Sequence, residues 1–325
     1  MRSGGLTSFE GAVVVVTGAS SGIGRAVSLR LASRGATVIA VARRREALSQ
    51  LASGGETAPG RIVPEPLDVT EEGALQRLAA RVAEEHGRLD AWVNNAGVNL
   101  YGPIDAPARR DVHRVLDVNL HGYVDGILAA LPHLRERGGG VVVNVSSILG
   151  VAPSPYQAAY VATKHAIHGL TVSVRQELWK DGIAVCEVAP GPVDTPLFGQ
   201  AGNHMGRDVV PPSPITDPED VAAAVIASLE RPRRLRVVGL PHRITAGLAR
   251  HLPRLAERTS RTMMEREHFG RSPTYASAGN LHDPDPEATT VRGGWVRPTE
   301  RSVPLVGATL LTAGALALMR LRRAR

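Results

Sequence analysis

Short apolar, β-branched runs alternate with stretches of helical periodicity through the first 240 residues. Residues 11–16 read as a fully buried first strand, because every position in the run is small or apolar. A helix over 25–33 and a second strand over 37–42 follow. A Gly/Pro-rich loop at 53–60 precedes a third strand, 61–67, interrupted by Pro64 and Pro66. A helix to about 86, a fourth strand at 90–93 and a long helix over 109–137 come next. Asn119 lies inside that long helix, where its amide competes for backbone groups and invites a kink or a bound water. Strands over 141–145 and 183–189 flank a helix that runs to about 180. Thr216-Asp217-Pro218-Glu219 reads as a capping box opening a helix to 229, and 235–240 as a last strand. This alternation predicts an α/β fold around a parallel sheet.

The polar motifs fall just after the strands, on what becomes one edge of such a sheet, where open α/β folds bind ligands. Strand one feeds Thr17-Gly18-Ala19-Ser20-Ser21-Gly22-Ile23-Gly24 and then a helix. That order sets backbone N–H groups and a helix dipole against a pyrophosphate. The second strand ends at Ala42 without a carboxylate and is followed by Arg43, Arg44 and Arg45. A guanidinium fork matches a 2′-phosphate, so NADP(H) is expected over NAD(H). The third strand ends in Asp68-Val69 and the fourth in Asn94-Asn95-Ala96-Gly97. The fifth delivers Ser146-Ser147, and the sixth ends in Pro190-Gly191-Pro192-Val193-Asp194-Thr195. Tyr160 and Lys164 stand four apart on a helix, so a phenol and an ammonium share one face. A nearby cation lowers the pKa of a phenol. The chain has 36 Arg and only two Lys, one of them Lys164.

Together these residues resemble the short-chain dehydrogenase/reductase family over roughly 9–240. The resemblance is carried by Thr17-Gly18-x-x-x-Gly22-x-Gly24, Asn94-Asn95-Ala96-Gly97, Asn119, Ser147, Tyr160-x-x-x-Lys164 and Pro190-Gly191-x-Val193-x-Thr195. It implies a Rossmann-type doubly wound parallel sheet of about seven strands. It implies a catalytic set of Asn119, Ser147, Tyr160 and Lys164. Tyr160 is the expected acid or base, and Ser147, thirteen residues before it, meets the substrate oxygen. Lys164 is expected on the nicotinamide ribose and Asn119 on a relaying water. Expected cofactor contacts are Gly18, Ser20, Ser21, Gly22, Ile23, Gly24, Arg43, Arg44, Asp68, Val69, Asn95, Ala96, Gly97, Tyr160, Lys164, Pro190, Gly191, Val193 and Thr195. The reaction the resemblance implies is hydride transfer between NADP(H) and a carbonyl or secondary alcohol. A non-catalytic NADP(H) sensor and an epimerase or dehydratase of the same family are the alternatives.

Beyond 240 the pattern ends. Residues 196–215 are read as a substrate lid. Ile244, Leu248, Leu252 and Leu255, interleaved with arginines, make 241–270 a basic amphipathic extension, fit to lie on a bilayer or to cover the cleft. Residues 271–302 read as a linker, and 303–319 form an uncharged run of roughly 25 Å as a helix, followed by the basic tail 320–325. Residues 1–230 carry 20 basic and 24 acidic side chains, while 231–325 carry 18 and 7, so the excess of positive charge belongs to the extension. A cytoplasmic catalytic domain anchored to a membrane by a C-terminal transmembrane helix is therefore expected, with a lipophilic substrate and a second copy of the chain as partners. Nucleic acid is not expected, since no recognisable binding module accompanies the charge. The single cysteine, Cys186, excludes an intrachain disulfide, and the spacing of potential ligands gives no metal site.

Overall fold

The computed structural model describes residues 4–296. Seven strands form one parallel sheet: β1 (Val13–Thr17), β2 (Thr37–Ala42), β3 (Arg61–Pro66), β4 (Ala91–Asn94), β5 (Gly140–Val145), β6 (Ile183–Pro190) and β7 (Leu235–Val238). Their order is β7-β6-β5-β4-β1-β2-β3, a doubly wound Rossmann-type arrangement. β3 tolerates Pro64 and Pro66 because it is an edge strand and needs donors on one side only.

Alternate side chains of the inner strands point to opposite faces, and both faces are covered. On one, Val14, Val16, Val38, Val143 and Val188 meet α1 (Gly22–Ala32), α2 (Arg45–Gly54) and α7 (Pro218–Glu230). On the other, Val15, Ile39, Trp92, Val142 and Val185 meet α3 (Ala74–His86), α4 (Arg109–Leu116), α5 (Gly122–Glu136) and α6 (Ala158–Glu177). This double burial explains why the strands are continuous apolar runs rather than alternating ones. Asn94 interrupts the apolar pattern without penalty: it accepts from Trp92 Nε1 at 2.8 Å and donates to Asn144 Oδ1 at 2.9 Å, and Asn144 donates to Thr171 at 2.9 Å. The network ties β4, β5 and α6 together immediately below the site.

The long helix expected over 109–137 is divided by a π-helical turn, Asp117–His121, that holds Asn119. Helix α7 is capped by Asp217, whose side chain accepts from Glu219 N at 3.0 Å, rather than by Thr216.

The amphipathic stretch after 240 forms two helices, α8 (Leu240–His251) and α9 (Pro253–Met263), divided at Leu252 where φ is −134° and ψ 63°. Ala249 and Ala256 pack on Ile148 and Ala152, and Ser260 Oγ donates to Pro153 O at 2.8 Å, so the pair lies over the segment that follows β5. Phe269–Pro273 then pairs antiparallel with Arg207–Val209.

The expected membrane anchor is corrected. Among the described residues no helix is long and apolar enough to cross a membrane. The run 303–319 and the tail 320–325 lie outside the described residues. Membrane association through the C-terminus, and the anchored localisation drawn from it, therefore has no support in the structure.

Candidate functional site

The carboxyl ends of β1, β4, β5 and β6 bring the glycine-rich turn, Asn95-Ala96-Gly97, Ser147 and the Pro190–Thr195 segment to one edge. Gly18 and Gly22 adopt φ of +67° and +56°, where a side chain is strained. At Gly24 a Cβ would meet Gly18 O at 2.3 Å, so only glycine lets α1 start so close to the turn. Thr17 Oγ1 accepts from Asn95 N at 2.9 Å and Ala96 N at 3.1 Å, and Asn95 Nδ2 returns to Thr17 O at 3.0 Å. The turn is thus tied to β4. Ser21, the N-cap of α1, makes no side-chain cap, which leaves the helix start suited to an anion. These features fit a nicotinamide dinucleotide.

Ser147 caps a short 3₁₀ turn, Ile148–Gly150, by accepting from Leu149 N at 3.2 Å, and it hydrogen-bonds the Tyr160 hydroxyl. Tyr160 lies in the first turn of α6. Lys164 is 4% exposed; its ammonium donates to Val145 O at 3.2 Å and sits over the rings of Tyr123 and Tyr160, 5.3 and 5.4 Å from their centres. Tyr123 donates to the same Val145 carbonyl at 2.7 Å. Asn119 is fully buried, accepting from Val98 N at 2.8 Å and donating to Val98 O at 2.9 Å; the π-turn is what aims its amide across to that strand end. Asn119 also reaches Thr163 at 3.4 Å, so it contacts α6 one residue before Lys164.

The electrostatics differ from the simple amine-beside-phenol picture. Burial pushes Tyr160 up to about 12, against the lowering effect of the Ser147 hydrogen bond. Burial pushes Lys164 down to about 8, with Glu187 opposing. The ammonium faces the ring of Tyr160 and the Val145 carbonyl, so desolvation outweighs charge pairing at the phenol.

At the far end of the edge, burial would raise Asp68, but hydrogen bonds from Arg114 and Thr70 hold its carboxyl below the ordinary value. Val69 is buried in the core and touches the helix at Gly122. Gly97 lies beside Asn119 Oδ1. Pro190 closes β6, and at Gly191 a Cβ would meet the His242 ring at 2.3 Å. Val193 and Thr195 are buried, the Thr195 methyl resting against Gly22. Ile23 packs against the sheet.

Residues 274–295, whose composition reads as a linker, run along this edge. Arg43 donates to the carbonyls of Asn280, His282 and Leu281 at 2.7, 2.8 and 3.2 Å. Arg44 donates to Asp285 O at 2.5 Å and to the Ser20 and Ser21 hydroxyls at 2.8 and 3.1 Å. Gly22 N donates to Thr290 O at 2.9 Å, and Trp295 Nε1 to Thr195 O at 3.0 Å. The expected preference for NADP(H) over NAD(H) is corrected accordingly. The arginines that were to mark a 2′-phosphate are engaged by this segment, and nothing else separates the two cofactors.

Tyr101, Tyr123, Glu187 and His242 were not singled out by sequence. Only Glu187 carried a signal, as a carboxylate inside an otherwise apolar strand. Among the described residues no group of three or more His, Cys, Asp or Glu could hold a metal ion.

The family model for short chain dehydrogenases matches residues 12–206. An uncharacterized oxidoreductase of Bacillus subtilis, YxnA, is 32% identical over 96% of this chain and 91% of its own length. The 3-oxoacyl-(acyl-carrier-protein) reductase FabG of Thermotoga maritima is 34% identical over 67% of this chain and 89% of its own. A short-chain dehydrogenase from Mycobacterium paratuberculosis, solved bound to NAD, is 30% identical and superimposes with a TM-score of 0.63 over 71% of this chain and 97% of its own. A short-chain dehydrogenase from Streptomyces avermitilis is 33% identical, with a TM-score of 0.64 over 78% and 96%. The glycine-rich turn, the Ser147–Tyr160–Lys164 cluster and these likenesses agree: the chain belongs to the short-chain dehydrogenase family of NAD(P)-binding oxidoreductases.

Proposed function

We propose that the chain reduces a carbonyl to an alcohol, and runs the reverse reaction, with Tyr160 exchanging the proton. The observation that carries this reading is the hydrogen bond between the Tyr160 hydroxyl and Ser147, with the Lys164 ammonium over the Tyr160 ring, at the dinucleotide edge of the sheet. A bound nicotinamide supplies or accepts the hydride at the carbonyl carbon. Ser147 donates to the carbonyl oxygen as negative charge develops there. Tyr160 gives that oxygen its proton, and the Lys164 ammonium offsets the phenolate left behind. Burial holds the phenol protonated at neutral pH, so in reduction it is the proton donor. Asn119 holds the π-turn against α6 and so fixes where Lys164 stands.

Substrate class is inferred from the packing beside Tyr160 rather than from the tail. Tyr101 is close enough that Tyr160 adds to burial in raising its pKa. Around it cluster Tyr156, Phe198, Met264 and Phe269. The apolar character of this cluster favours an apolar ketone or secondary alcohol, and one relative, from Mediterraneibacter gnavus, is a 3beta-hydroxysteroid dehydrogenase 39% identical over 58% of this chain.

The test is oxidation of NADPH and of NADH in the presence of apolar ketones, comparing the wild type with Tyr160→Phe. Loss of the acid–base group costs about 10²–10⁴-fold in kcat, with dinucleotide binding kept. Undiminished turnover by Tyr160→Phe overturns the reading. The choice between cofactors is read from the same assay on Arg43→Ala and Arg44→Ala.

A further inference from the structure

Glu187 is a carboxylate in the middle of β6, 2% exposed, on a strand whose other seven residues are apolar. Its Oε1 accepts from Ser146 Oγ at 2.6 Å, and its Oε2 lies 2.8 Å from His168 Nδ1. Ser146 Oγ in turn accepts from Ser147 N at 2.5 Å, so one arm of the carboxylate ends on the backbone of the residue that meets the substrate oxygen. The other arm ends on His168, one helical turn beyond Lys164 on α6, with its side chain 35% exposed.

A buried ion pair is weak as a stabilising device, because desolvation cancels most of the Coulomb gain. An apolar residue would fill this strand position at lower cost. The carboxylate is better explained by what lies around it. The groups around the Lys164 ammonium are Tyr160 on its own helix, Tyr123 on α5 and the Val145 carbonyl on β5, with Glu187 on β6 acting through its charge and paired with His168. Of these only Glu187 is an anion that keeps the buried amine charged. Arg175, which donates to Val185 O at 2.8 Å, also feels Glu187, and Cys186 beside it is held neutral by burial.

We propose that Glu187 is a positioning residue for the reaction, pinned between His168 and Ser146, where it holds the Ser146–Ser147 turn and sets a negative charge behind the Val145 carbonyl that Lys164 binds. Its consequence for turnover rests on the hydride-transfer reading, but its effect on Lys164 does not.

The chain's two lysines, Lys164 and Lys180, make this measurable without a substrate. Full-chain protein carrying ¹³C only in lysine gives two Cε signals, assigned with Lys180→Arg, and each is followed through a pH titration. In the wild type the Lys164 signal titrates near 8. In Glu187→Gln, which keeps the shape and loses the charge, the midpoint falls, because the amine loses the anion that favours its charged form. The alkaline limb of the reductive pH–rate profile shifts with it. Glu187→Met, an apolar residue of like length for this strand, lowers the Lys164 midpoint as well. That second variant tests the link should Glu187→Gln fail to fold. A Lys164 midpoint unmoved in Glu187→Gln, or unmoved in Glu187→Met, overturns the proposal. A shifted midpoint with no carbonyl reduction by any form sinks the hydride-transfer reading instead and leaves the pairing intact.

Discussion

The backbone N–H of Gly22 donates to the carbonyl oxygen of Thr290 at 2.9 Å. Gly22 opens α1, the helix whose free N–H groups and dipole suit a pyrophosphate, so the C-terminal segment uses a donor of the dinucleotide site. The same segment takes donors of Arg43 and Arg44. Its foothold is Leu281, fully buried among Val98, Leu100 and Val115.

Loosening that foothold is therefore expected to strengthen dinucleotide binding. Leu281→Ala leaves a cavity costing about 2–5 kcal/mol, enough to let the segment lift. If competition amounts to ~1.4 kcal/mol, the affinity rises about tenfold. Calorimetry with NADH and NADPH on the full chain reads this directly. Weaker binding would show instead that residues 280–290 form a wall of the site.

At Gly191 the second prediction is one of space. Three atoms of the His242 imidazole lie within 2.4 Å of where a Cβ would stand, so α8 packs on bare backbone at the end of β6. Gly191→Ala forces the ring away, costing about 1–3 kcal/mol of stability as an overpacking change. His242→Ala clears the clash, and the double variant recovers most of the loss in a chemical-denaturation cycle. Additive losses would show that Gly191 is required for a reason other than room for His242.

The strands and the polar residues at their ends were legible because double-sided burial makes each strand a continuous apolar run. The glycine turn, Ser147, Tyr160 and Lys164 fall along one edge because each follows the carboxyl end of such a strand. Where sequence reading fell short, the cause was long-range contact. Arg43 looks like a phosphate fork until carbonyls from 280–282 fill it. Tyr160 looks acidified by Lys164 until the ammonium is found over the ring and on Val145 O, with burial dominant. The amphipathic pattern after 240 states only that one face needs cover. That Ile148 and Ala152 provide it is a fact of tertiary structure.

The last prediction concerns acid stability. His268 is 2% exposed, packed against Tyr101, Phe198 and Phe269 with ring centres 5.1–5.9 Å away, and its ring nitrogens have no hydrogen bond of ordinary geometry among the described residues, only a weak approach to the Val210 backbone. Burial holds its pKa down at about 4, the Val210 backbone opposing only in part, against an ordinary value of 6.5. Between those two values the unfolded chain takes up a proton at this residue and the folded chain does not. Stability is therefore unaffected by His268 above 6.5, falls as pH drops through the window, and levels below about 4. The full loss is bounded at roughly 3 kcal/mol. His268→Leu removes the titration and fills a similar volume among the aromatic rings. Urea midpoints at pH 7.5 and 5 should thus diverge more in the wild type than in the variant; equal slopes would mean that His268 finds a proton-stabilising partner in the folded state.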